Sequence, residues 1–207
     1  NRVPEAEQVC TEILDHGAEH VGALDLARIK NTVAMIRKQA GDLDTAERYY
    51  GEVLATYRSM GLARHPDLVA VLNNVARVKQ ERRDLDAANA AFEEALSIVA
   101  ETDSADSYTA IAIELGLGRN ALLADDAELA RTRLTKTLER LRAAKSLDPH
   151  LLAQCCELLG DALLRVGRHD EAKSMLEQAL TASAASQRDD ADARARITAL
   201  LERASKS

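Results

Sequence analysis

The stretch GDLDTAERYYGEVL (41–54) returns as RDLDAANAAFEEAL (83–96), as DDAELARTRLTKTL (125–138) and as GRHDEAKSMLEQAL (167–180), each copy starting 42 residues after the last. A period of this length marks a repeat architecture, in which one supersecondary unit is stacked on its copies. Superposing the copies aligns Ala46, Ala88, Ala130 and Ala172, and eight residues on Leu54, Leu96, Leu138 and Leu180. Between them run the columns Tyr50, Phe92, Leu134, Leu176 and Val53, Ala95, Thr137, Ala179. Offsets of four, seven and eight place these positions on one stripe of an α-helix. The alanine is small, which lets a neighbouring helix approach closely.

A second set of columns precedes each block: Val33-Ala34, Val75-Ala76, Leu117-Gly118 and Leu159-Gly160, a large apolar residue followed by a small one. Each unit is therefore read as a helical hairpin with a short turn before DLD, DLD, DAE and RHD. Gly41 and Gly167 stand where the first helix should end in a left-handed cap. Arg83 and Asp125 occupy that column without glycine. Keeping the same conformation there costs about 1–2 kcal/mol, so these two turns are candidates for a different path. Pro66 marks the start of one first helix, and Asp148-Pro149 supplies an N-cap and first helical residue for another.

The ends read as partial units. Residues 5–16 repeat the second-helix pattern through Ala6, Cys10, Ile13 and Leu14, while residues 188–204 give a last helix with Ile197, Leu200, Leu201 and Ala204 on one face. There Glu202 falls in the column of Ala34 and Gly118, where a partner helix would need a small residue, so this helix is expected to be a solvent-facing cap. Exposed Arg194, Arg196 and Arg203 on it argue against stacking at that end. The expected fold is all-α: a right-handed α-solenoid of ten helices with no strand. It forms one array over 1–207, divided into a partial repeat (1–20), repeats 21–62, 63–104, 105–146 and 147–187, and a capping helix (188–207).

Composition agrees. Only 2% of residues are aromatic, so the core must be aliphatic, and three prolines in 207 residues suit long helices. A net charge of −7 argues against a nucleic-acid partner, whose footprint is a dense basic surface. No apolar run approaches a membrane span, and no signal peptide is seen. The chain opens without Met, as a piece of a longer protein would, and its Arg- and Ala-rich usage suggests a bacterial source. Cys10, Cys155 and Cys156 have no framework spacing, which suits a reducing cytoplasm. The adjacent pair could form a vicinal disulfide or redox sensor, but small buried packing residues are the simpler expectation.

Catalytic and cofactor chemistry finds no constellation. His16 and His20 have the spacing of a metal pair, yet Gly17 falls where the helix should end and no further ligands accompany them. Gly116-x-Gly118 lacks the preceding strand and third glycine of a phosphate loop, and close helix packing explains Gly118. Gly51 lies inside a second helix, where it costs up to about 1 kcal/mol relative to alanine. No enzyme, metal or cofactor is expected from this segment.

These columns resemble the tetratricopeptide repeat: the small–large pattern and the Gly-Asp-x-x-x-Ala turn stand in KQAGDLDTAERYYGEVL and, with its own variants, in LLGDALLRVGRHDEAKSMLEQAL. The common unit of that family is about 34 residues. The 42-residue unit here, with HPDLVAVLNNVARV leading into DLDAANAAFEEALSI, resembles the kinesin light chain variety. The family's aromatic in the third turn of the first helix is replaced by Arg37, Lys79, Ala121 and Leu163, and its early Trp is absent, so an aromatic-lined pocket is not expected.

The resemblance implies a scaffold that binds a protein or extended peptide on its concave wall, lined by the first helices. The i, i+4, i+7 columns of those helices are Asn31, Met35, Lys38; Asn73, Arg77, Gln80; Leu115, Arg119, Leu122; and Glu157, Asp161, Leu164. By resemblance, Asn73 and the equivalent Asn31 would hold a peptide backbone, for which an amide's paired donor and acceptor are suited. Arg77 and Arg119 would favour an acidic segment, and Glu157 and Asp161 would reverse the sign further along. The implied role is a cytoplasmic module recruiting a partner for a larger bacterial signalling protein such as a Ser/Thr kinase. The other reading is a mainly structural self-association module, monomeric or weakly homo-oligomeric when isolated.

Overall fold

The computed structural model describes residues 3–16, 20–102, 108–144, 148–186 and 190–206. Among them lie ten helices and no strand: α1 (Val3–His16), α2 (Ala23–Gln39), α3 (Leu43–Ser59), α4 (Asp67–Glu81), α5 (Leu85–Thr102), α6 (Tyr108–Leu123), α7 (Ala127–Ala143), α8 (Pro149–Arg165), α9 (His169–Ala185) and α10 (Ala191–Ser205). The chain divides into two compact units, Asn1–Thr102 and Asp103–Ser207. Each is built from antiparallel hairpins: α2 with α3 and α4 with α5 in the first, α6 with α7 and α8 with α9 in the second. Within the first unit α1 packs on α2, and α4 packs on both α2 and α3. Within the second, α8 packs on both α6 and α7, and α10 on both α8 and α9.

The same turn closes all four hairpins. In the first, the Gly41 amide donates to the Lys38 carbonyl at 3.0 Å and the Asp42 amide to the Arg37 carbonyl at 2.9 Å, the paired bonds of a Schellman cap. Asp42 then caps the next helix by accepting from the Thr45 amide at 3.1 Å. One residue thus ends the last helix's cap and begins the next, which is why the turn is so short. Arg83 and Asp125 follow the glycine path after all, at φ of 62° and 61° beside 82° for Gly41 and 77° for Gly167. Their Schellman bonds are complete, Asp84 to Lys79 and Asp126 to Ala121, both at 2.9 Å. The geometry that closes the hairpin therefore outweighs the local steric cost. Only the fourth turn lacks a side-chain cap, because Arg168 stands where the others have aspartate.

The repeat columns form the core. Ala46, Tyr50, Ala88, Phe92, Ala130, Leu134, Ala172 and Leu176 are wholly buried, and Val53, Ala95, Thr137 and Ala179 nearly so. Thr137 tolerates burial because its hydroxyl donates to the Arg133 carbonyl at 2.9 Å and lies 3.2 Å from Glu114 Oε2. Gly118 and Gly160 meet Leu134 and Leu176 so closely that an added Cβ would lie 2.5 and 2.6 Å from those side chains. In the first two hairpins the same columns carry Ala34 and Ala76 with Tyr50 and Phe92.

Cys155 and Cys156 are wholly buried in the second unit's core, and no disulfide joins them. Burial pushes the Cys156 thiol up to about 11 and that of Cys155 higher still. Burial thus favours the protonated thiols at neutral pH and places both side chains among the packing residues of this core. On α10, Ile197 and Ala204 are buried, Leu200 and Leu201 pack on the same core, and Glu202 faces solvent. Of the three arginines expected to be exposed on that helix, Arg196 and Arg203 are so. Arg194 is half-buried, and Arg196 turns back onto α8.

Candidate interaction surface

In the N-terminal unit the first-helix columns land on α2 and α4. Met35 is 42% exposed, an unusual position for a methionine, and Arg77 is exposed as well. Asn31, Lys38 and Asn73 are half-buried, and Lys38 Nζ reaches Glu81 Oε1 on α4 at 3.7 Å. Gln80 is buried, so the column rule that put it on the open face does not hold for its side chain. In the C-terminal unit Leu115, Leu122 and Leu164 are core residues. Glu157 is buried too, accepting from Arg196 Nε at 2.9 Å, and half-buried Asp161 accepts from Arg165 on its own helix at 2.9 Å. The acidic end of the expected surface is thus largely neutralised from within, because α10 takes the place of a next first helix and brings Arg196 onto Glu157. Arg119 and Glu157 line one cleft together, and Asn31 lines another.

The cleft at Asn31 is a notch of about 220 Å³ bounded by Ala27, Arg28 and Asn31 of α2, Val53 and Tyr57 of α3, and Asp67, Ala70 and Val71 of α4. Its polar wall is a chain of charge-assisted bonds. The Tyr57 hydroxyl donates to Asp67 Oδ2 at 2.9 Å, Arg28 Nη2 donates to the same oxygen at 3.2 Å, and Arg28 Nη1 to Asp25 Oδ1 at 3.2 Å. Burial pushes the Asp67 carboxyl up, but the bonds from Tyr57 and Arg28 outweigh it and leave its pKa below the ordinary 3.8. Asn31 Oδ1 is buried and has no hydrogen-bond partner among the described residues. A buried acceptor left in that state costs about 1–3 kcal/mol.

The C-terminal cleft is the same notch three periods later. Ala153, Gln154, Glu157, Ser183, Ala193, Arg196 and Ile197 line it in the positions of Ala27, Arg28, Asn31, Tyr57, Asp67, Ala70 and Val71. Its volume is only about 30 Å³, because Arg196 lies where the first notch has Ala70 and donates across it to Glu157. Arg28, Tyr57 and Asp67 were missed by the groove columns, which begin one helical turn further on at Asn31. The available signal was the column Arg28, Ala70, Ala112, Gln154, Arg196, in which long polar and small residues exchange.

Among the described residues no three His, Cys, Asp or Glu side chains cluster to hold an ion. His16 is exposed at the end of α1, His20 is exposed beyond it, and Gly17 lies outside the described residues. No helix among the described residues is long and apolar enough to cross a membrane.

Stacked hairpins with this turn and these columns define a class of helical repeat protein whose use is protein interaction. Tetratricopeptide repeat profiles match residues 25–101 and 153–186, and the chain belongs to the tetratricopeptide repeat family. Solved structures share the fold. BtubC (BKLC) from P. vanneervenii is 22% identical at a TM-score of 0.79, with 89% of this chain and 74% of that one covered. A protein of Podosopora anserina described as a putative kinesin light chain with nearly identical TPR-like repeats gives 19% identity and a TM-score of 0.71, covering 91% and 90%. A single-substitution variant of that protein gives 18% and 0.73, covering 89% and 88%. The long hairpins thus share the fold of the TPR-like repeats in that putative kinesin light chain. No curated protein matches the chain. The repeats make it a protein-interaction scaffold, on a fold that is typically non-catalytic.

Proposed function

We propose that the first-helix face of the N-terminal unit holds a protein or extended peptide partner, with Met35, Asn73 and Arg77 as its contacts. The observation that carries this reading is exposure. Met35 and Arg77 stand open to solvent on two helices that pack together, and a flexible thioether is a common device of adaptable binding surfaces. Half-buried Asn73 beside them offers donor and acceptor to a backbone, and Arg77 favours a carboxylate on the partner. The setting that fits is recruitment within a bacterial signalling protein, such as a Ser/Thr kinase, in the cytoplasm. Three unpaired cysteines suit a reducing compartment.

Photo-crosslinkers placed at Met35 and Arg77, and for comparison at exposed Arg48 of α3 and Glu93 of α5, test this in extracts of the native cell. The expected result is a discrete adduct from the first two positions that Asn73→Ala with Arg77→Glu diminishes. Adducts from Arg48 and Glu93 alone would move the binding face to the second helices.

A further inference from the structure

We infer that the notch of the N-terminal unit is a socket for one arginine side chain of the partner segment, a deepening that rests on the first-helix reading just given. The template is internal. In the C-terminal unit the chain supplies its own arginine: Arg196, from the column of Ala70, donates at 2.9 Å to Glu157, in the column of Asn31, and reduces the notch to about 30 Å³. In the N-terminal unit that column holds exposed Ala70, and the notch keeps about 220 Å³.

The residues around this space fit the same guest. Ala27, Val53, Ala70 and Val71 offer an apolar bed to the three-carbon stem of an arginine. Asn31 Oδ1 is a buried acceptor without a partner among the described residues, which calls for an N–H donor and rejects an oxygen acceptor. The charge agrees in sign. Asp25 and Asp67 carry two negative charges against the one of Arg28, so a single added cation completes a two-against-two cluster. A guanidinium, with several N–H groups in a plane, can serve Asn31 and Asp67 together. An anionic guest would meet Asp67 and leave Asn31 unsatisfied, and an aliphatic one would bury both without a bond.

The experiment uses the full chain and blocked alanine pentapeptides whose central residue is arginine, citrulline, leucine or glutamate. Titrations are followed through the side-chain amide signals of Asn31 and Asn73 and the methyl signals of Met35, Val53 and Val71. The arginine peptide should shift Asn31, Val53 and Val71 saturably. The other three peptides should bind about tenfold more weakly, reflecting the loss of charge-assisted bonds. Ala70→Arg, at an exposed position and patterned on the Arg196 arrangement, should abolish the shifts while leaving the helical spectrum unchanged. Equal response to leucine or glutamate, or binding that survives Ala70→Arg, would overturn the socket. Shifts of Met35 and Asn73 without Asn31 would remove the socket and leave the first-helix reading standing. Silence at all five signals would remove both.

Discussion

Gly118 on α6 and Leu134 on α7 divide one volume between them: a Cβ on the glycine would lie 2.5 Å from Leu134 Cδ2 and 2.7 Å from its Cγ. Leu134 is wholly buried, so shifting it aside would press on a close-packed core. Gly118→Ala should therefore destabilise the second unit by about 1–3 kcal/mol as overpacking, despite the better helix propensity of alanine. Leu134→Ala alone should cost about 2–5 kcal/mol as a cavity. The double variant should be more stable than the sum of the two losses predicts, a coupling that denaturant melts of all four proteins would read. Simple additivity would mean that the two side chains do not compete.

Arg83 and Asp125 hold left-handed backbone at φ near 60° that glycine adopts freely. Arg83→Gly should raise stability by about 1 kcal/mol. Asp125→Gly should gain less, because a short aspartate side chain tolerates left-handed backbone better than arginine does. Thermal unfolding of each single variant checks the order. A loss in Arg83→Gly would show that the arginine side chain contributes more than its backbone costs.

Tyr50 carries a hydroxyl into the core where Phe92 stands one repeat later, and that hydroxyl has no partner among the described residues. Tyr50→Phe should stabilise by about 1 kcal/mol by removing a buried unsatisfied group. Burial also pushes the Tyr50 phenol from its ordinary 10.0 up to about 12. An acid whose folded pKa is raised favours folding fully below the unfolded value and loses that contribution as the unfolded chain ionises. Wild-type stability should thus fall between pH 10 and 12, and Tyr50→Phe should fall less over that window. Parallel melts at about pH 8 and 11 compare them.

The hairpins were legible because one column forbids anything large: Ala46, Ala88, Ala130 and Ala172 recur where two helices touch, and the stripe around them repeats at helical spacing. The division of the chain at Thr102 left no comparable mark, since the helical columns continue through both units. The surface was only partly legible. Spacing along one helix names the face on which Glu157 lies, but not that Arg196, 39 residues later, reaches back to it. The notch at Asn31 needed three helices at once, and its openness turns on one alanine, Ala70, in a column where the last helix carries Arg196.

The wall of that notch should also set the acid tolerance of the N-terminal unit. Bonds from the Tyr57 hydroxyl and Arg28 outweigh the upward push of burial and hold Asp67 below 3.8, so the folded state favours its charged form. The sign follows from that direction: the contribution is present above the unfolded pKa, near 3.8, and is lost as pH falls through the lower folded value. Asp42, held down by its bonds to Thr45, acts in the same sense. Lowering pH from about 6 to about 3 should therefore weaken the wild type more than Asp67→Asn, whose amide does not titrate there and can still accept from Tyr57. Hydrogen exchange of α2 and α4 amides at the two pH values, corrected for intrinsic rates, reports the difference within this unit. If the two proteins lose protection equally, the Tyr57–Asp67–Arg28 chain is not what couples protonation to folding, and Asp42 becomes the residue to replace next.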